Sequence, residues 1–182
     1  LCYHLEFNAK IKNYFGSISG GSSFKFGLFQ RQEDGKWMTG SPQKQVELSN
    51  ADALALGKQI RDFIVQACEY IAGVEFASVR DYEVLDDKLN AMFNKVASLA
   101  WIQKYFQMIF PDKFTSWYAK DLQNHMLFSF GIMPSAKYYG RNGQLALIRK
   151  ETRFNNTHFG DVCYQLFGDV VHFYRLGSSD DQ

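Results

Sequence analysis

Between Ser49 and Ala72 the apolar residues fall on one helical stripe. Ala53, Leu56, Ile60, Phe63, Ile64, Ala67 and Ile71 recur at spacings of three and four, the signature of an amphipathic helix with one buried face. No other feature constrains the fold as strongly. A helix of this length must lay its apolar face against other elements. Ser49, with Asp52 three residues on, supplies an N-cap. Gly57 lies on the stripe and would allow close helix packing, at about 1 kcal/mol in propensity.

The segments on either side differ in kind. Upstream, Leu5, Phe7 and Ala9 alternate with polar residues and suggest a short strand, and residues 16–23 form a Ser/Gly loop. Phe24–Arg31 and Lys36–Thr39 read as a β-hairpin, because Asp34-Gly35 supplies the positive φ values of a tight turn; Gly40-Ser-Pro42 ends it. Downstream, residues 73–82 form a connector, and helices follow over roughly 83–98, 99–109, 116–130, 143–152 and 156–167. Pro111 stops the third helix of the chain and Gly131 the fourth. Residues 170–176 read as a closing strand, and 177–182 as a linker to a missing downstream region. The fold class is α+β: a small antiparallel sheet or hairpin on the N-terminal side, packed with a mainly helical C-terminal two-thirds. Residues 1–176 are expected to form a single compact recognition domain, with a weak internal boundary near 73–82.

Composition excludes several functions. The net charge of +1 is no whole-chain signature of nucleic-acid binding, so such a role needs local patches. No apolar run approaches the ~20 residues that span a bilayer. The chain begins at Leu1 without a charged leader or apolar h-region, so nothing points to a signal peptide. Cys2, Cys68 and Cys163 are scattered and read as buried free thiols in a reducing, cytoplasmic setting.

Catalytic signatures are missing. There is no Walker A sequence, no GxGxxG and no GxSxG. His4, His125, His158 and His172 have no metal-ligand spacing, and no metal or cofactor is expected in this chain. Asp86-Asp87-Lys88 superficially matches a nuclease element, but these residues fit the solvent face of a helix. The chain reads as a non-catalytic binding module.

Three stretches could bind. In the hairpin, Phe24, Phe26 and Leu28 lie on one face and Lys25, Gly27 and Phe29 on the other, with Trp37 beside Lys36 across the turn from Arg31. Unstacked bases need such π-surface next to cations. Trp37, Tyr14, Phe24 and Phe26 are the stacking candidates, unless both faces are covered. The segment 137–153 is the most basic of the chain: Lys137, Arg141, Arg149, Lys150 and Arg153 stand against Glu151 alone. Tyr138, Tyr139, Asn142 and Gln144 add stacking and hydrogen-bonding groups. Its alternative is a solvated helix face with structural tyrosines. Last, the helices around 153–156 outline a helix-turn-helix, with Asn155, Asn156 and His158 as base or phosphate contacts. A plain N-cap at Asn156 or Thr157 is the alternative.

Three of the chain's segments carry a family resemblance: Lys36-Trp-Met-Thr-Gly-Ser-Pro42, the run Trp101–Phe114, and Lys137-Tyr-Tyr-Gly-Arg-Asn-Gly-Gln144. They resemble sequence upstream of the AAA+ motor in McrB-like GTPases of modification-dependent restriction systems. The resemblance implies a detachable N-terminal domain that recognises double-stranded DNA, a methylated base being one candidate target. It implies partners too: the missing AAA+ motor region and a nuclease subunit. Lys36, Lys137, Arg141, Arg149 and Arg153 would then hold phosphates. A protein-interaction or sensor module of a defence complex is the competing reading, and an uncharacterised enzyme the third.

Overall fold

The computed structural model describes residues 27–41 and 44–168. The readings placed on 5–9, 16–23, 170–176 and 177–182 lie outside the described residues, as do Cys2 and His4. Within the described residues the fold is α+β, a three-stranded antiparallel sheet followed by six helices.

Strands β1 (Leu28–Gln30) and β2 (Trp37–Ser41) make the expected hairpin, with Gln30 opposite Trp37. Of the turn pair Asp34-Gly35, only Gly35 takes positive φ, at 68°. Asp34 acts through its carboxylate instead. It pairs with the Arg31 guanidinium and accepts from the Lys36 N–H at 3.2 Å. The Arg31 hydrogen bond holds the Asp34 carboxyl down to about 2.

The sheet does not end at Gly40-Ser-Pro42. A third strand, β3 (Lys44–Leu48), pairs with β2, placing Thr39 opposite Val46. Gly40 makes this possible. Its φ is 98°, and a Cβ there would stand 2.2 Å from the Lys44 carbonyl oxygen.

Helix α1 (Asn50–Gly73) matches the apolar stripe, and the Ser49 hydroxyl accepts from the Asp52 N–H at 3.1 Å. Ala53, Phe63, Ala67 and Ile71 are buried. Gly57 faces the sheet rather than a helix: its nearest neighbour is Leu28, in ordinary contact at 3.5 Å from a built Cβ. Helix α2 (Val79–Ala97) starts earlier than 83 because the Asp81 carboxylate accepts from the N–H groups of Ala77 (3.0 Å) and Ser78 (2.8 Å). The helix breaks at Phe93, where φ is −162° and ψ is 81°. Helix α3 (Ala100–Ile109) falls where expected.

Helix α4 (Lys120–Ser129) starts later than Ser116, for a reason visible in the carbonyls just before it. Those of Trp117 and Tyr118 are taken by side chains: Gln123 and Asn142 donate to the first, Tyr138 to the second. Gly131 ends the helix as expected, at φ 71°. Helix α5 (Tyr138–Thr152) starts well before 143 and closes on Arg153, whose φ of 60° is left-handed. Helix α6 (Asn156–Phe167) follows, with Asn155 as its N-cap.

Helix α5 lies close against α2. A Cβ on Gly143 would meet the Tyr82 ring at 2.2 Å, and one on Gly140 would meet Ser135 Oγ at 2.3 Å. These glycines allow the close packing that the sequence reading assigned to Gly57. The main core runs from Phe63 of α1 through Leu85 and Leu89 of α2 and Phe106 of α3 to Tyr139 and Ala146 of α5. A smaller cluster gathers Trp117, Met126, Leu145, Phe159 and Cys163. Cys163 is buried and Cys68 half-buried, both as free thiols.

Gly143→Ala should therefore lower stability by about 1–3 kcal/mol through overpacking. Gly160→Ala, in open space inside α6, should raise it by about 0.5–1 kcal/mol. Urea unfolding of both variants checks the pair; equal effects would contradict the packing described.

Candidate functional site

The basic stretch becomes helix α5, and the helix divides its cations. Arg141 is 5% exposed. Its Nη1 donates to the carbonyls of Ser135 (2.9 Å) and Ala136 (3.1 Å), and its Nε to Gln123 Oε1 (3.2 Å). Arg149 is 6% exposed and donates from Nη2 to the Asp112 carbonyl at 2.7 Å. Burial lowers the pKa of both guanidinium groups. Arg141 is turned inward and held by the protein's own acceptors, which corrects its assignment as a surface phosphate contact; Arg149 is buried too, but lines a cavity. Lys137 is the N-cap of α5, ion-paired with Asp87. Arg153 is exposed at the other end.

The tyrosines are structural as well. Tyr139 is 1% exposed and donates its hydroxyl to the Ala97 carbonyl at 2.8 Å, so it offers no stacking face. Tyr138 is half-buried and donates to the Tyr118 carbonyl at 2.9 Å. Burial pushes the Tyr138 phenol up to about 12 and raises that of Tyr139 well above its ordinary value. Asp86, read as a solvent-face residue, is buried: its carboxylate accepts from the Tyr139 N–H (2.7 Å) and from Asn90 Nδ2 (2.7 Å), anchoring the start of α5. Asn142 is buried too. It accepts from the Thr115 N–H and donates to the Thr115 carbonyl, as a strand neighbour would. The first turns of the helix show no apolar period because Gly140, Arg141, Asn142 and Gly143 are buried there beside Tyr139.

The turn between α5 and α6 has the outline of a helix-turn-helix, but both asparagines bond to the protein's own backbone. Asn155 Oδ1 accepts from the His158 N–H at 2.9 Å. Asn156 Nδ2 donates to the carbonyls of Pro111 (3.0 Å) and Phe114 (3.1 Å). The N-cap is thus Asn155, not Asn156 or Thr157. His158 is exposed.

The hairpin fares differently. Tyr14, Phe24 and Phe26 lie outside the described residues. Trp37 is half-buried and forms one wall of a groove of about 520 Å³ between the sheet and the first three turns of α1. Leu28, Ala53, Leu54 and Gly57 complete an apolar lining, with Lys58 and Arg61 at the edge. Leu28 and Trp37 share one face of the sheet, while Phe29 and Met38, opposite each other on the other face, are buried. Lys36 is exposed and pairs with Glu47 at 2.8 Å, outside the groove. Lys58 forms no ion pair among the described residues; Arg61 pairs with its exposed neighbour Asp62. Neither cation was singled out from the sequence. The signal was there: Leu54, Gly57, Lys58 and Arg61 recur at helical spacing, beside the buried stripe.

Comparisons with protein families, curated proteins and solved structures found no match for this chain. Among the described residues, no three His, Cys, Asp or Glu side chains gather as metal ligands, and no helix is long and apolar enough to cross a membrane.

The buried phenols set a pH dependence. Their folded pKa values lie above the unfolded value of about 10, so the stability they confer is complete below pH ~10 and is lost as pH rises from there towards 12. Urea midpoints should hold up to about pH 9.5 and then fall, less steeply in Tyr138→Phe. Identical slopes in the two proteins would contradict the burial of Tyr138.

Proposed function

We propose that this chain is a non-catalytic DNA-recognition module, cytoplasmic in setting, that takes an unstacked base of duplex DNA into the Trp37 groove. The observation that carries this reading is the groove itself: an indole wall over an apolar lining, with Lys58 and Arg61 at the rim. A base needs a π-face and its phosphate a cation. Unstacking a base costs a few kcal/mol, and stacking on an aromatic returns about 1–3 kcal/mol, so phosphate contacts must make up the difference. At this groove Lys58 and Arg61 take the phosphate role, which Arg141 is too deeply held to fill. A methylated base suits the apolar lining, since a methyl group gains by leaving water. The McrB-like resemblance agrees with this reading and would place the motor and the nuclease elsewhere.

One observation favours a protein-interaction or sensor module instead. Phe128 (58% exposed), Met133 (77%) and Leu166 (69%) stand out on and beside the packed helices α4 and α6. Exposed apolar residues of this size are typical interface anchors.

Binding of labelled duplexes, with and without methylated bases, over a salt series separates the two. Trp37→Ala should reduce affinity for the preferred duplex about tenfold, with Trp37→Phe retaining most of it. Lys58→Ala should weaken all duplexes alike and flatten the salt slope by about one. If no duplex binds at low salt, the DNA reading fails and the apolar face of α4 and α6 becomes the site to test.

A further inference from the structure

A second cavity, of about 560 Å³, opens at the far end of α1. It lies between the C-terminus of that helix, the 112–113 link after α3, and the last turns of α5. The Trp37 groove shares no residue with it. Along α1 alone, the nearest lining residues of the two, Arg61 and Ala72, stand roughly 16 Å apart at 1.5 Å per residue.

Four cations line this cavity, Lys113, Arg149, Lys150 and Arg153, against two acids, Glu75 and Asp112. Lys113 is engaged. Its Nζ donates to the carbonyls of Ile71 (2.6 Å) and Val74 (2.8 Å), where the negative end of the α1 dipole would otherwise repel an anion. The other three have no carboxylate partner within salt-bridge distance among the described residues. Arg149 is the telling one. Its side chain is more than nine-tenths buried, yet of five N–H donors it uses one, to the Asp112 carbonyl. Its Nε is shut off from solvent with no acceptor at all. The Asp112 charge acts on it only through space, with no ion pair formed; a buried guanidinium so partly compensated is unfavourable, and an anion beside it would relieve that. Lys150 and Arg153 are exposed around the same opening. The remaining walls are apolar, notably Phe76, Leu147 and Phe154.

We propose that this cavity binds a phosphate monoester of mononucleotide size, with the phosphate held by Arg149, Lys150 and Arg153 and the organic body against Phe76, Leu147 and Phe154. The volume falls within the range of small-ligand sites, and the fork of an arginine matches phosphate oxygens. The phosphate could come from a free nucleotide or from the 5′ end of a nucleic acid strand, and the experiment separates these sources.

Calorimetry on the full chain would use inorganic phosphate, adenosine, adenosine 5′-monophosphate, and a short single strand with and without a 5′-phosphate. The monophosphate should bind at least about tenfold tighter than adenosine. The Lys150→Ala/Arg153→Ala double variant, altered only at exposed positions, should lose at least about tenfold while keeping the parent's unfolding temperature. Trp37→Ala should bind the monophosphate as the parent does, which keeps this result independent of the fate of the groove. Preference for the 5′-phosphorylated strand over the free nucleotide would assign the phosphate to a strand end. No binding of any phosphate at millimolar concentration, equal binding of adenosine and its monophosphate, or an unaffected double variant would each overturn the proposal.

Discussion

Everything C-terminal to α2 is placed by the contact between α2 and α5, and that contact rests on an absent side chain. At Gly143 the Tyr82 ring occupies the volume a Cβ would need. The close approach lets Asp86 take up the Tyr139 N–H in the first turn of α5 and brings the Tyr139 hydroxyl to the Ala97 carbonyl. It also aligns Asn142 with the Thr115 backbone and Arg141 with Gln123. Most of these are bonds between a buried side chain and a backbone group that has no partner in a helix or strand. Each would cost a desolvation penalty if left unmade, so the irregular segment 110–119 is held in one path by α5. That path fixes Lys113, and with it the end of α1.

The same contact explains which parts of the fold could be read from the chain. The stripe of α1, its Ser49 cap and the stops at Pro111 and Gly131 follow from local rules that tertiary packing did not override. Helix α5 was half missed because its first turns, Tyr138-Tyr-Gly-Arg-Asn-Gly143, bury polar groups and glycines. A hydrophobic period cannot report a face that is held by hydrogen bonds. The start of α2 was legible in principle, since Ser78 and Asp81 have capping-box spacing. Strand β3 had a weak alternation, Gln45-Val-Glu-Leu48, and Val46 remains half exposed, so little burial backs the pattern.

Sequence neighbours do not share a surface. A run of cations in sequence is a charge count, not a surface. Rolled into a helix, Arg141 and Arg149 turn inward, Lys137 meets Asp87, and only Lys150 and Arg153 stay open to solvent. Trp37 kept its candidacy because it begins the central strand on the sheet face turned to α1, where it lines a groove. Among the described aromatics, Phe63, Trp101, Phe106, Phe114 and Tyr139 belong to the core, while Trp37 and Phe154 line cavities.

Arg153 adopts a left-handed backbone that glycine would take without strain, a difference on the order of 1 kcal/mol. Helices commonly close on glycine at this point, so the arginine side chain is present against the preference of its own backbone. Selection for thermal robustness alone would drive this position towards glycine, and doing so would remove one of the three open or under-used cations at the α5 cavity. Stability and ligand affinity therefore pull this single residue in opposite directions, a trade-off confined to the last turn of one helix.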